Sequence, residues 1–171
     1  MVLVLLMRHI VTILLQNEAG ALGRVAGLFS TRGYNIESLN VAPTEDSTVS
    51  RLTLVTTGSD QVIAQINSQL AKLVDVVNIV DMTRGDHIER ELALVKLRVG
   101  DDKIPELKQV VAAHGAHIID DLAGQYTAEL TGGVTAVDEF LDAVRLHAEI
   151  LALVRTGVMA VARGQPVLTY R

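Results

Sequence analysis

The sequence predicts an α+β protein made of two successive βαββαβ units. Runs of Val, Ile and Leu alternate with segments whose apolar residues recur every three or four positions. The order strand, helix, strand, strand, helix, strand is complete by residue 82 and then begins again. Residues 92–97 lie 82 positions after the similar run at residues 10–15, so each unit is about 85 residues long. This repeated order is that of two tandem ferredoxin-like units.

The first unit opens with a strand and a helix that a short polar loop separates. Residues 9–16 are rich in Ile, Val and Leu, as in a buried strand, and residues 17–20 interrupt them. A helix follows, and Gly33 is predicted to end it because glycine readily adopts the left-handed conformation at a helix C-terminus. The apolar residues that recur in this helix are Leu22, Val25, Ala26 and Phe29.

Two strands, a second helix and a fourth strand complete the first unit. Strands are predicted over residues 35–42 and 50–57, on either side of a turn that contains Pro, Asp and Ser. Ser59 lies where the N-cap of the second helix is expected, and residues 74–82 form the closing strand. The apolar stripe of the second helix comprises Val62, Ile63, Ile66, Leu70 and Leu73.

The second unit repeats this order after a polar break at residues 83–87. Its first helix carries Pro105 in the first turn, where the missing N–H does no harm, and its second helix follows residue 133. Its strands are predicted over residues 92–97, 116–121 and 125–131, with a final strand within residues 150–162. We therefore predict an N-terminal domain over residues 1–84 and a C-terminal domain over residues 85–171.

Composition excludes several classes of protein. The 171 residues are 49% hydrophobic and 3% aromatic, which excludes general disorder and argues against base-stacking surfaces. The absence of Cys excludes disulfides, thiolate metal sites and cysteine nucleophiles. Residues 1–86 carry 6 basic and 8 acidic groups, and residues 87–171 carry 9 and 12, so neither unit favours nucleic acid as a partner.

The N-terminal residues bear on localisation. The run M-V-L-V-L-L has neither the preceding basic residues nor the cleavage site of a signal peptide. No segment approaches the roughly 18 apolar residues of a membrane-spanning helix. We expect a cytoplasmic protein with no membrane partner. Because Met7 precedes Arg8, residues 1–6 are a candidate N-terminal extension.

Few residue patterns indicate catalysis. The sequence contains no G-x-S-x-G, Walker A, H-E-x-x-H or G-x-G-x-x-G motif. His114 and His117, with Asp120 and Asp121 nearby, offer a rival interpretation as a metal-dependent enzyme. No third ligand is evident beside the two imidazoles, and capping or surface roles are favoured for the histidines. We expect no catalytic residue and no metal site in this chain.

The loop after the first strand is the strongest candidate binding site. The N–H groups of Gly20, Ala21 and Leu22 are expected to be free at the N-terminus of a helix, where the helix dipole suits a carboxylate. The side-chain amide of Asn17 can accept from an ammonium group and donate to a carboxylate. The alternative, which the residues alone favour, is that Asn17 and Gly20 only form a tight turn and cap.

Two motifs in the first unit are more specific than its strand and helix pattern. N-E-A-G-A-L occupies residues 17–22, and R-G-Y-N-I-E-S occupies residues 32–38. Together they resemble the ACT domain of the small regulatory subunits of acetohydroxyacid (acetolactate) synthase. The resemblance to this family runs in order over residues 7–164. Further stretches that carry it are residues 41–44, 50–51, 69–76, 87–92, 94–96, 155–158 and 163–164. It implies an N-terminal ACT domain and a C-terminal ACT-like regulatory domain.

The resemblance also implies a regulatory role without a cofactor in this chain. Members of this family assist a large catalytic subunit, on which thiamine diphosphate, Mg²⁺ and FAD are expected. That holoenzyme, a transferase, condenses two pyruvates, or pyruvate with 2-oxobutyrate, in the biosynthesis of branched-chain amino acids such as valine and isoleucine. The small subunit raises its activity and confers allosteric feedback inhibition, typically by valine.

ACT domains of this family pair side by side, which implies a homodimer with the effector at its interface. The effector-binding residues implied by matching positions are Asn17, Gly20, Ala21, Leu22, Asn35 and Ile36. The first four would hold the carboxylate and ammonium of valine or a related amino acid. The last two would approach from the second copy, with Ile36 lining a pocket for a branched side chain. An alternative is a stand-alone amino-acid-sensing ACT protein that regulates another enzyme.

Overall fold

A computed structural model describes residues 7–164 and Leu168. The candidate N-terminal extension, residues 1–6, lies outside the described residues. The predicted α+β fold is confirmed, because two antiparallel sheets with alternating helices repeat the order βαββαβ. No helix in the described part of the chain is long and apolar enough to cross a membrane.

The first unit builds its sheet in the order β2-β3-β1-β4, with antiparallel neighbours throughout. Its elements are β1 (Met7–Gln16), α1 (Ala21–Thr31), β2 (Ser38–Pro43), β3 (Val49–Gly58), α2 (Asp60–Leu70) and β4 (Val76–Asp81). Alternate residues of β1 and β3 pack with Phe29 of α1 and Leu70 of α2 in one apolar core. The connection between β1 and α1 therefore lies at one end of this sheet.

Both helix boundaries that the sequence singled out are confirmed. Gly33 has φ 69°, and its N–H donates to the carbonyl of Ser30 at 3.2 Å. The N–H of Tyr34 donates to the carbonyl of Phe29 at 3.0 Å, so two hydrogen bonds close the end of α1. The side chain of Ser59 accepts from the N–H of Val62 at 3.4 Å and caps α2.

Strand β2 is shorter than predicted, because it begins at Ser38 and not at Asn35. Residues 35–37, which precede β2, still lie alongside β3. The carbonyl of Asn35 accepts from the Thr56 hydroxyl at 2.6 Å, and the N–H of Glu37 donates to the carbonyl of Val55 at 2.8 Å. One side-chain and one main-chain hydrogen bond therefore hold this segment to β3 in place of a regular main-chain ladder.

A later segment of the chain covers the second face of the first sheet. The alternation along β3 is typical of a strand with one buried face, yet Thr53 and Val55 on the other face are also buried. The N–H of Ala160 in β9 (Met159–Ala162) donates to the Thr53 hydroxyl at 3.4 Å, and Val158, which precedes β9, is also buried. The compact first unit therefore runs to Ile88 and takes in the segment that begins at Val158. This differs from a single division near residue 85.

The second unit, Glu89–Gly157, has the strand order β6-β7-β5-β8. Its elements are β5 (His87–Arg98, which begins in the first unit), α3 (Ile104–Ala113), β6 (His117–Asp120), β7 (Gln125–Gly132), α4 (Val134–Arg145) and β8 (Glu149–Arg155). The single final strand predicted within residues 150–162 is divided into β8 and β9. Between these strands, Gly157 has φ 76°, and the N–H of Thr156 donates to the carbonyl of Leu92 at 3.0 Å.

A buried carboxylate joins the ends of β5 and β8. Glu91 is 3% exposed and accepts two hydrogen bonds from Arg155, one of them 3.1 Å long from Nε. The Nη1 of Arg155 also donates to Asp138 of α4 at 2.8 Å. The bonds to Glu91 and then Asp138 raise the pKa of Arg155 above its ordinary value, against the effect of burial. One guanidinium therefore connects two strands and a helix.

Candidate effector-binding site

A small cleft lies between the β1–α1 loop and the edge of the first sheet. Its volume is about 220 Å³. The lining residues are Leu15, Gln16, Asn17, Glu18, Ala21, Leu22, Val41, Ala42, Pro43 and Ser50. The structure thus brings together three of the predicted site residues, Asn17, Ala21 and Leu22, and places apolar residues of β2 opposite them. Gly20 directly precedes Ala21 but is not itself among the lining residues.

Gly20 forms the sharp turn that starts α1. It is the N-cap, with φ 86°, a left-handed conformation in which a side chain is strained. The N–H of Arg24 donates to the Gly20 carbonyl at 2.9 Å and begins the helix. A Cβ on Gly20 would lie 2.9 Å from Nη1 of Arg24. The left-handed backbone conformation therefore favours glycine at this position, and a side chain would also have to displace the end of the Arg24 side chain.

The amides of this turn differ in how they are used. The N–H of Ala21, predicted to be free, donates to the carbonyl of Glu18 at 3.2 Å. The turn is tighter than expected, so one of the three N–H groups predicted to be free is already hydrogen-bonded within the chain. Within the described residues, the N–H groups of Gly20 and Leu22 have no internal acceptor. Two amides at the positive end of α1 can therefore still bind an anionic group.

Asn17 is bound to the turn between β2 and β3. Its Nδ2 donates to the carbonyl of Ser47 at 2.9 Å, and its main-chain N–H donates to the carbonyl of Thr48 at 2.7 Å. These bonds fix the start of the loop, while the side-chain oxygen of Asn17 keeps its capacity to accept a hydrogen bond. Glu18, which sequence analysis did not single out, also lines the cleft and adds a carboxylate.

Asn35 and Ile36 are not among the residues that line this cleft. Asn35 is exposed, and its carbonyl accepts from the Thr56 hydroxyl. Ile36 is half-buried and packs against the core of the first unit. Within one chain, Asn35 and Ile36 therefore do not line the same cleft as Asn17. That they contact the effector bound to a second copy stays a prediction.

An ion pair that sequence analysis missed stands beside the loop. Nε of Arg24 lies 2.5 Å from Oδ2 of Asp75, and Nη2 lies 2.8 Å from Oδ1. The Asp75 side chain is 4% exposed and that of Arg24 is 47% exposed. The hydrogen bonds from Arg24 lower the pKa of Asp75, outweighing the opposite effect of burial. These two residues are 51 positions apart, so no local spacing indicates their contact.

This lowered pKa predicts a pH dependence of stability. A carboxyl whose pKa is depressed on folding stabilises the protein above its unfolded pKa, near 3.8, and that contribution is lost as the pH falls through the folded value. We expect urea denaturation to show that Asp75→Asn is less stable than the wild type at pH 7, with the difference shrinking below about pH 4. A difference that is the same at both pH values would contradict this linkage.

The histidines considered as metal ligands have other surroundings. Nδ1 of His114 lies 2.9 Å from the carbonyl of Val110 at the end of α3, and its ring centroid is 5.7 Å from that of Phe140. His117 is exposed at the start of β6. The described residues contain no group of three or more His, Cys, Asp or Glu that could hold a metal ion. The structure thus gives His114 a capping and packing role.

Comparison with known proteins decides the family. Residues 11–78 match the model of the AHAS small subunit-like ACT domain, and residues 90–164 match that of the small subunit of acetolactate synthase. The chain is 45% identical over 162 residues to the acetolactate synthase isozyme 3 small subunit of Escherichia coli (strain K12), covering 95% of this chain and 99% of the relative. The chain belongs to the acetolactate synthase small-subunit family.

Other members of the small-subunit family agree over nearly the whole chain. The acetolactate synthase small subunit of Haemophilus influenzae is 44% identical over 159 residues, covering 93% of this chain and 98% of that protein. The crystal structure of the acetolactate synthase small subunit from Thermotoga maritima has a TM-score of 0.83 and 34% identity, covering 93% of this chain and 99% of that chain. The resemblance found in the sequence is thereby confirmed for both units.

Proposed function

We propose that this small-subunit family member regulates an acetolactate synthase in the cytoplasm. It would bind the large catalytic subunit, raise its activity and make it sensitive to feedback inhibition by valine. The full-length match to acetolactate synthase small subunits carries this proposal. Thiamine diphosphate on the catalytic subunit would supply the carbon–carbon bond chemistry, and this chain would supply regulation.

The cleft beside α1 is the proposed valine site. The free N–H groups of Gly20 and Leu22 would donate to the effector carboxylate, which the positive end of the helix dipole favours. The side-chain oxygen of Asn17 would accept from the ammonium group, and Glu18 adds negative charge nearby. Val41 and the other apolar residues of the cleft suit a short aliphatic side chain.

Selectivity among branched-chain amino acids should be graded. An apolar pocket discriminates a single methylene by only about 1–3 kcal/mol. Valine, leucine and isoleucine are therefore expected to inhibit to graded extents, with none of the three fully excluded.

Inhibition would work through linkage between valine binding and subunit arrangement. An effector shifts an equilibrium only when it binds the two arrangements with different affinities. We propose that the first unit forms the ACT homodimer and that Asn35 and Ile36 of one copy complete the effector site of the other. Valine would then contact two chains and bias their arrangement. The second unit would serve as the C-terminal regulatory domain.

Reconstitution tests the proposed function. The full chain is mixed with its cognate catalytic subunit, and acetolactate formation is measured with and without valine. The expected result is a higher rate on addition of this chain and a loss of rate on addition of valine. Valine binding by the chain without any activation of the catalytic subunit would favour the stand-alone amino-acid sensor instead, and a pull-down that recovers no thiamine-diphosphate enzyme would support that outcome.

A further inference from the structure

Asp75 forms hydrogen bonds at both ends of the loop that connects β1 to α1, where the effector is proposed to bind. We define the effector loop as residues 16–20, from the last residue of β1 to the N-cap of α1. The main-chain carbonyl of Asp75 accepts from the N–H of Gln16 at 2.8 Å, where this loop begins. The carboxylate of Asp75 holds Arg24 through two hydrogen bonds, one turn into the helix that follows the loop. One residue at the entry to β4 therefore controls both boundaries of the loop.

Arg24 extends this control to the turn itself. Two of its nitrogens, Nε and Nη2, are bound to Asp75, and the third, Nη1, lies beside Gly20. A Cβ on Gly20 would be only 2.9 Å from Nη1, so the guanidinium packs against the backbone of the turn. The side chain of Arg24 is not among those that line the cleft, and its three nitrogens contact Asp75 and the Gly20 turn, so Arg24 would act on the effector through the loop.

The Arg24–Asp75 ion pair is costly to break. Asp75 is almost fully buried, and a buried carboxylate without its partner is strongly unfavourable. The guanidinium meets it through two parallel bonds, a geometry that a lysine cannot reproduce. Loss of either partner should therefore let the effector loop sample other conformations.

We propose that Arg24 and Asp75 are positioning residues for effector binding, which rests on the proposed function of the cleft. The pair holds the free amides of Gly20 and Leu22 in the arrangement that receives a carboxylate. The apparent dissociation constant of a ligand rises in inverse proportion to the fraction of protein in the competent conformation. A loop that is competent about one tenth of the time would thus bind valine about tenfold more weakly.

Valine titration of the full chain by calorimetry tests this proposal. Arg24→Gln, Asp75→Asn and the double variant are each expected to bind valine about tenfold more weakly than the wild type, with the double variant no worse than the single ones because the two residues act together. The valine affinity of Arg24→Lys should lie between those of the wild type and Arg24→Gln, since lysine keeps the charge and loses the paired bonds. In the reconstituted enzyme, the valine concentration for half inhibition should rise while inhibition at saturating valine stays at the wild-type extent.

The matched control removes another Arg–Asp pair in the same unit. Arg84 binds Asp60 at the start of α2, and both side chains are more than half exposed. Arg84→Gln should change valine affinity by less than about twofold, because exposed ion pairs contribute little. It should leave the effector loop unaltered.

The outcomes separate this inference from the function on which it rests. If Arg24→Gln and Asp75→Asn melt at lower temperature but bind valine as tightly as the wild type, the pair is only structural and the inference fails. If either variant is unfolded by circular dichroism, Arg24→Lys decides the question in the same titration: wild-type affinity overturns the inference, and weakened affinity supports it. A wild-type chain that binds no valine overturns the proposed function, and this inference with it.

Discussion

Gly20→Asp is expected to weaken valine inhibition of the reconstituted enzyme, with the half-inhibitory concentration raised about hundredfold, or about 2.7 kcal/mol of effector binding. Gly20 has φ 86°, so any side chain there is strained. The new carboxylate would repel the effector carboxylate at the amides that should bind it. It would also lie against Nη1 of Arg24 and compete with Asp75 for that guanidinium.

Gly27→Asp is the matched control for this substitution. It adds the same charge to the same helix, at a glycine whose Cβ would meet nothing within 4 Å. Valine inhibition curves are measured for both variants with the same catalytic subunit. If Gly20→Asp and Gly27→Asp give the same curve, charge on α1 and not the geometry of the turn governs the effect, and the proposed location of the effector is wrong.

Arg155→Leu is expected to lower the free energy of unfolding of the second unit by about 3–5 kcal/mol, since it leaves a buried carboxylate without a partner. Glu91 is 3% exposed, and Arg155 supplies both hydrogen bonds to its carboxylate. The same guanidinium holds Asp138 of α4. The measurement is urea denaturation followed by circular dichroism, with hydrogen exchange locating the loss in β5 and β8.

Arg145→Leu provides the comparison for this stability change. Arg145 pairs with Asp142 three residues earlier on α4, and both side chains are more than half exposed. Its removal should cost less than about 0.5 kcal/mol, the usual range for exposed pairs on a helix. Equal losses from Arg145→Leu and Arg155→Leu would show that burial of Glu91 does not decide the stability of this region.

Much of the fold could be predicted from local patterns. The order of elements, the end of α1 at Gly33 and the cap of α2 at Ser59 depend on residues that are neighbours in the chain. Helix and strand periods and the conformational freedom of glycine act within a few residues, so the sequence displays them directly. The family also followed from short motifs at residues 17–22 and 32–38.

Part of the candidate site could be predicted as well. Asn17, Ala21 and Leu22 line one cleft because they are close together in the sequence, where β1 connects to α1. Their neighbours Val41 and Ser50 were not predicted, since only the pairing of β1, β2 and β3 brings those strands to the same place.

Local patterns in the sequence were enough to predict the two repeated units, the family and the loop that carries the candidate site. The return of the segment after Val158 to the first unit and the contact between Arg24 and Asp75 became visible in the folded chain alone. Contacts between residues 51 or 107 positions apart depend on how whole elements pack, which no local period records. Packing also buries the carboxylates of Asp75 and Glu91. Burial makes the loss of their partners Arg24 and Arg155 strongly destabilising, and spacing in the sequence does not reveal this.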